Sequence, residues 1–165
     1  MSDGLIKITY PVEADSWDGT NGENIWVQLV TAIPPHRAIA EVCSIPVSTR
    51  TLSFGDKILL EYSESKRQVA FVAIVERGGH STFHVLVEKK NSDASEMLKR
   101  IHLMGCGSES GSHGSGELFA IDVPPEVDFD EVVDLLKKGQ DEGRWFFQTG
   151  YIGHPEKHAP TSPAM

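Results

Sequence analysis

Thr82-Phe83-His84-Val85-Leu86-Val87-Glu88, and then Asp93-Ala94-Ser95-Glu96-Met97-Leu98-Lys99-Arg100-Ile101-His102-Leu103-Met104-Gly105, decide the fold class, because the apolar period changes between them. In the first stretch Phe83, Val85 and Val87 alternate with their neighbours, the pattern of a strand with one buried face. In the second, Asp93 and Glu96 form a capping-box pattern, and Met97, Leu98, Ile101 and Met104 recur at helical spacing until Gly105 stops them. A strand that gives way to a helix predicts an α+β protein.

Reading onward, Leu118 to Val123 is a strand closed by Pro124-Pro125. Asp128, with Glu131 three residues later, caps a second helix; Phe129, Val132, Val133 and Leu136 form its buried stripe, and Lys137-Lys138 near Gly139 suit its end. Trp145-Phe146-Phe147-Gln148 reads as a last strand with Trp145 and Phe147 on one face. A short strand around Cys106 to Ser110 completes the order β-α-β-β-α-β, the ferredoxin-like arrangement. From His154 to Met165 there are three prolines and no apolar period, as expected of a mobile tail.

Reading backward, no stretch before Arg77 keeps a helical period. Leu5 to Tyr10 alternates, with Ile6, Ile8 and Tyr10 on one face; Ile25–Val30, Ala38–Ser44, Lys57–Tyr62 and Gln68–Glu76 are short runs rich in Val, Ile and aromatics. Asp18-Gly19, Asn21-Gly22, Pro34-Pro35, Pro46 and Phe54-Gly55-Asp56 punctuate them. Five strands without a helix predict a small barrel-like unit of SH3 or OB type, with Trp17 and Trp26 packed inside it. The expected division is an all-β region over 1–78, a ferredoxin-like region over 79–153 and the tail over 154–165, with Arg77-Gly78-Gly79 either the hinge between two domains or a tight turn inside one.

Composition narrows the function. The chain has 165 residues, 24 Asp plus Glu against 15 Lys plus Arg, and a formal net charge of -9. Nucleic acid and anionic membranes are disfavoured partners, because both are bound through clustered Lys and Arg. No apolar run approaches the ~20 residues a spanning helix needs. The first residues lack a signal-peptide pattern, and Cys43 and Cys106 stand alone without a CxxC spacing, so a reduced, cytoplasmic setting is expected.

Several chemistries fail on spacing. His80 and His84, four apart on a strand, are separated by about 13 Å and cannot share one ion; no metal and no cofactor is expected. The glycines from Gly105 to Gly116 lack the Lys of a phosphate loop, and Ser110 stands where a GxGxxG motif needs Gly. Cys106 and His113 share that stretch, which keeps a thiol enzyme built on Cys106 open as an alternative. Between Asp122 and Asp134 there are six acids and no base. The inward stripe of the second helix turns Asp130, Glu131 and Asp134 outward, where a solvated face is the default and acids in the first turn stabilise the helix. The functional reading is a negative patch that steers a basic partner, formed by Glu126, Asp130, Glu131 and Asp134.

Four segments, Ser53-Phe54-Gly55-Asp56, Val75-Glu76-Arg77-Gly78-Gly79-His80-Ser81-Thr82, Ala120-Ile121-Asp122-Val123-Pro124-Pro125 and Gly143-Arg144-Trp145, occur in this order and spacing. Together they resemble the bacterial domain-of-unknown-function family 4265. The resemblance implies a small bacterial, cytoplasmic protein and carries over no catalytic residue. The expectation is a non-enzymatic, acidic protein-binding protein, in concrete form an immunity protein that neutralises a basic bacterial toxin such as a nuclease. A small-molecule-sensing regulatory domain of ferredoxin-like type is the other alternative.

Overall fold

The computed structural model describes residues 4–16, 19–88, 93–113 and 116–155, with only the backbone of 93, 112 and 113. It is an α+β protein built on two antiparallel sheets.

In the N-terminal half, β1 (Leu5–Pro11), β2 (Gly22–Ile33), β3 (Arg37–Val42), β4 (Lys57–Ser63) and β5 (Gln68–Glu76) form a meander in the order β1-β2-β3-β4-β5. Alternation puts Ile8, Tyr10, Ile25, Val27, Ala40, Val42, Ile58 and Leu60 on one face, where they close around Leu52. Register shifts at Leu29/Thr31, Lys57/Ile58 and Leu59/Leu60 bend the strands. The sheet therefore curls until the Tyr10 ring on β1 meets the Phe71 ring on β5, with centroids 4.7 Å apart. β1 and β5 do not pair, so the unit is half a barrel and not the closed barrel its five strands suggest.

Trp26 also departs from expectation. It shares parity with Asn24 and Gln28 on β2, so it lies on the outer face, 47% exposed, with Lys7 Nζ 5.8 Å from its ring centroid. Trp17 falls outside the described residues.

The second half comprises β6 (Ser81–Glu88), α1 (Asp93–Leu103), β7 (Gly107–His113), β8 (Gly116–Val123), α2 (Phe129–Asp141) and β9 (Phe146–Thr149). Its sheet runs β7-β8-β6-β9, every neighbouring pair antiparallel. Phe83, Val85, Phe119 and Ile121 meet Met97, Ile101, Val132, Leu135 and Leu136 from the two helices. The glycines after α1 thus belong to a β7–β8 hairpin. β6 is not half-buried as its alternation suggests: Thr82 and His84 on the other face are also fully buried. They lie under the connection between β3 and β4, where Ser53 Oγ is 2.7 Å from Thr82 Oγ1 and His84 Nε2 is 3.0 Å from the Pro46 carbonyl. α2 ends two residues past Gly139, at Asp141. The Trp145 ring lies flat against the helix there, and a Cβ at position 139 would sit 1.8 Å from Trp145 Cζ2.

Residues 43–56 join the two halves, and four carboxylates hold them. Glu23 accepts from the backbone N–H groups of Val47, Ser48 and Thr49 at 2.5, 3.1 and 3.1 Å. Glu13 accepts from Thr49 Oγ1 and Arg50 N at 2.9 and 3.0 Å. Asp56, fully buried, accepts from Ser53 N, Gly78 N and Arg77 Nη1 at 2.9 to 3.0 Å. From the other side, Glu109 on β7 accepts from Ile45 N at 2.9 Å. A connection that would otherwise bury backbone donors without partners is thereby satisfied. Among the described residues no helix is long and apolar enough to cross a membrane.

Candidate functional site

β8 ends at Val123, and Pro124-Pro125 turn the chain toward α2. Val127 N donates to the Pro124 carbonyl at 3.0 Å. Asp128 then takes an extended conformation and caps the helix, accepting from Asp130 N at 3.0 Å and Glu131 N at 3.3 Å. With Val132, Leu135 and Leu136 buried, the helical period sends Glu131 and Asp134 to the surface and leaves Asp130 half-buried; Glu126 is exposed on the turn before. Asp130 and Asp134, four apart, share a face. Among the described residues, none of Glu126, Asp130, Glu131 and Asp134 takes part in an ion pair.

Asp122, the first of the six acids between 122 and 134, does not face outward. It is buried at the end of β8 because β8 lies against the N-terminal half on that face, and its Oδ1 is 2.8 Å from His80 Nδ1. Burial pushes its carboxyl above the usual range, more than the neighbouring His80 pulls it down. The His80 ring lies 5.4 Å from that of Phe54. Ser81 Oγ accepts from Gly153 N and His154 N and is 2.7 Å from His154 Nδ1. His154 Nε2 in turn faces the carbonyls of Pro124 and Val127 at 2.9 and 3.1 Å, and its ring stacks on Phe129 at 5.4 Å. The tail expected to be loose from His154 onward is therefore anchored at its first residue, which braces the acidic turn; residues 156–165 lie outside the described ones.

Three of the four segments singled out in the sequence converge here. Ser53 meets Thr82, Asp56 meets Arg77 and Gly78, His80 meets Asp122, and a Cβ on Gly78 would lie 2.5 Å from the Gly55 carbonyl oxygen. The fourth, Gly143-Arg144-Trp145, closes the far end of α2. Pairing of the motif acids with motif arginine and histidine, 21 and 42 residues away respectively, carries no local sequence signal.

The remaining sequence candidates are placed as follows. His80 and His84 point to different partners, Asp122 for one and Pro46 with Gln148 for the other. Among the described residues, no three His, Cys, Asp or Glu side chains gather to hold a metal. Cys106 is buried and its thiol is pushed up to about 11, chiefly by burial and further by the charge of Asp122, so it is a packing group in its protonated form at neutral pH. The His113 side chain lies outside the described ones. Cys43 and Cys106 are both free.

The surface of the first sheet holds what the sequence reading missed. β2 exposes Trp26, Leu29, Val30 and Ile33, each at least 39% accessible, and β5 exposes Val69, Val72 and Val75. The parity of Trp26 with Asn24 and Gln28 was the signal available for the first of them.

A family model described as "Domain of unknown function (DUF4265)" matches residues 23–147. Among solved structures, a hypothetical protein from Neisseria gonorrhoeae superposes with a TM-score of 0.67 at 13% identity, covering 94% of this chain and 98% of that one. At that identity the likeness concerns the fold alone. No curated protein matches the sequence.

Proposed function

We infer the role of this chain from its surface, because the chain belongs to the family DUF4265, a domain of unknown function. We propose that it is a non-enzymatic binding protein whose acidic face, Glu126, Asp130, Glu131 and Asp134, receives a basic protein. One observation carries the reading: among the described residues these surface acids form no ion pair, whereas Glu13, Glu23, Asp56 and Glu61 hold groups of their own chain. Carboxylates left unneutralised in one region raise the local potential and speed capture of a cation-rich surface. The exposed apolar side chains of β2 and β5 supply the kind of area from which affinity would come. An immunity protein that neutralises a basic toxin, such as a nuclease, is the concrete form, acting in the cytoplasm.

We propose a finer fold for each half as well. The strand order β7-β8-β6-β9, with α1 and α2 between its members, supports a ferredoxin-like second half. The curled meander supports an SH3- or OB-like first half.

The test is affinity purification from the native cell with the unaltered chain and with Asp130→Lys/Asp134→Lys. A stoichiometric basic protein retained by the first and depleted with the second is the expected result. The same partner retained equally by both removes the acidic face from the account.

A further inference from the structure

The opposite end of α2 carries the reverse charge. A cavity of about 110 Å³ opens there, lined by Arg100 of α1, Leu135, Lys138 and Gly139 of α2, and Glu142, Arg144 and Trp145 of the loop that follows. Three cations thus surround one small cavity in a chain whose net charge is -9. Among the described residues, Arg100 and Lys138 form no ion pair; Arg144 Nε lies 3.3 Å from Glu142 Oε1, the one acid on the rim.

A helix C-terminus ordinarily repels an anion, because its last carbonyls carry partial negative charge. Here those carbonyls are already engaged. Trp145 Nε1 donates to Leu136 O at 2.9 Å, Glu142 N to Lys138 O at 3.0 Å, Arg144 N to Gly139 O at 2.8 Å and Gly143 N to Gln140 O at 3.0 Å. Gly139 is what allows this: without a Cβ it lets the Trp145 ring lie on the helix and form a wall of the cavity. Leu135 and Trp145, both buried, supply the apolar part of the lining, and the rest of it is polar.

We infer that this cavity is an oxyanion site that takes the phosphate group of a small molecule. Its volume corresponds to roughly four waters. That is well below the ~300 Å³ of a site enclosing a drug-sized ligand. It therefore suits a single charged headgroup, with any remaining part of the ligand outside. Two guanidinium groups and an ammonium match a doubly charged phosphate better than a carboxylate, since each arginine offers a fork of donors. The site lies at the other end of α2 from the acidic face and does not depend on the partner-binding reading.

The full chain would be titrated with inorganic phosphate and, separately, with glycerol phosphate, against chloride at matched ionic strength. The readout is the Trp145 indole N–H resonance, assigned with Trp145→Phe. A saturable displacement with phosphate and none with chloride is expected. Arg100→Ala or Lys138→Ala, both at exposed positions that leave the core intact, should weaken binding about tenfold, the effect of one charged hydrogen bond. Glu142→Gln, which removes the carboxylate from the rim, should tighten it. Stronger binding of the ester assigns the site to a phosphorylated metabolite, and stronger binding of the free ion to inorganic phosphate. Absence of saturation with either anion, or binding indifferent to both alanine variants, overturns the proposal.

Discussion

The connection 43–56 and the turn with first helical residues 124–134 both depend on carboxylates, and they use them in opposite ways. Around the connection, Glu13, Glu23 and Asp56 point inward and accept from backbone N–H groups that have lost water. At the start of α2 Asp128 does this, as the cap, while Glu126, Glu131 and Asp134 are exposed, Asp130 is half-buried, and none of the four forms an ion pair among the described residues. The same residue types serve the fold in one region and the surface in the other. Net charge alone does not separate the two uses; hydrogen-bond partners do.

Glu23→Ala should have the largest effect on that contrast. It removes the acceptor of three backbone donors at once, and chemical denaturation should show a loss of about 3 kcal/mol or more. Gly139→Ala comes next. It drives a methyl into the Trp145 ring, and a cost of about 2 kcal/mol is expected from overpacking.

The pH dependence of stability should then separate an inward acid that gains from folding from one that does not. Burial pushes the Glu13 carboxyl up, but hydrogen bonds from its own backbone, Arg50 and Thr49 outweigh this and hold it below the usual range. Its contribution is complete above the unfolded value of about 4 and is lost as pH falls through the lowered native one. Asp122 is raised, chiefly by burial, so the native state favours its protonated form. Its contribution is complete below about 4 and is lost as pH rises through the raised native value. In melting curves across pH, Glu13→Gln should flatten the acid side of the profile and Asp122→Asn the rise-dependent loss; a profile unchanged by either variant contradicts the assignment. The smallest effect belongs to Asp134→Asn and Glu131→Gln, which should alter stability by no more than about 0.5 kcal/mol.

The sequence made some features legible because their causes are local. The cap at Asp128, the inward positions of Val132 and Leu136, and the alternation of β1 and β6 follow from spacing alone. Non-local features were not legible. The burial of Thr82 and His84 depends on a connection some 30 to 40 residues earlier, and that of Asp122 on His80 across the sheet. Why a glycine stands at position 139 was not legible either, because the ring that requires it is six positions further on. The outward face of α2 was visible as a pattern. That its acids form no ion pair among the described residues became visible only with Arg37, Arg50, Lys57 and Arg77 placed against other carboxylates.

The central claim is that the outward acids of α2 serve association and not folding. Its most direct test is the association rate constant with the captured partner, measured across ionic strength for the unaltered chain and for Asp130→Lys/Asp134→Lys. A fall of about tenfold or more at low salt, vanishing at high salt while the melting temperature stays unchanged, is predicted. Equal rates at every ionic strength would contradict it.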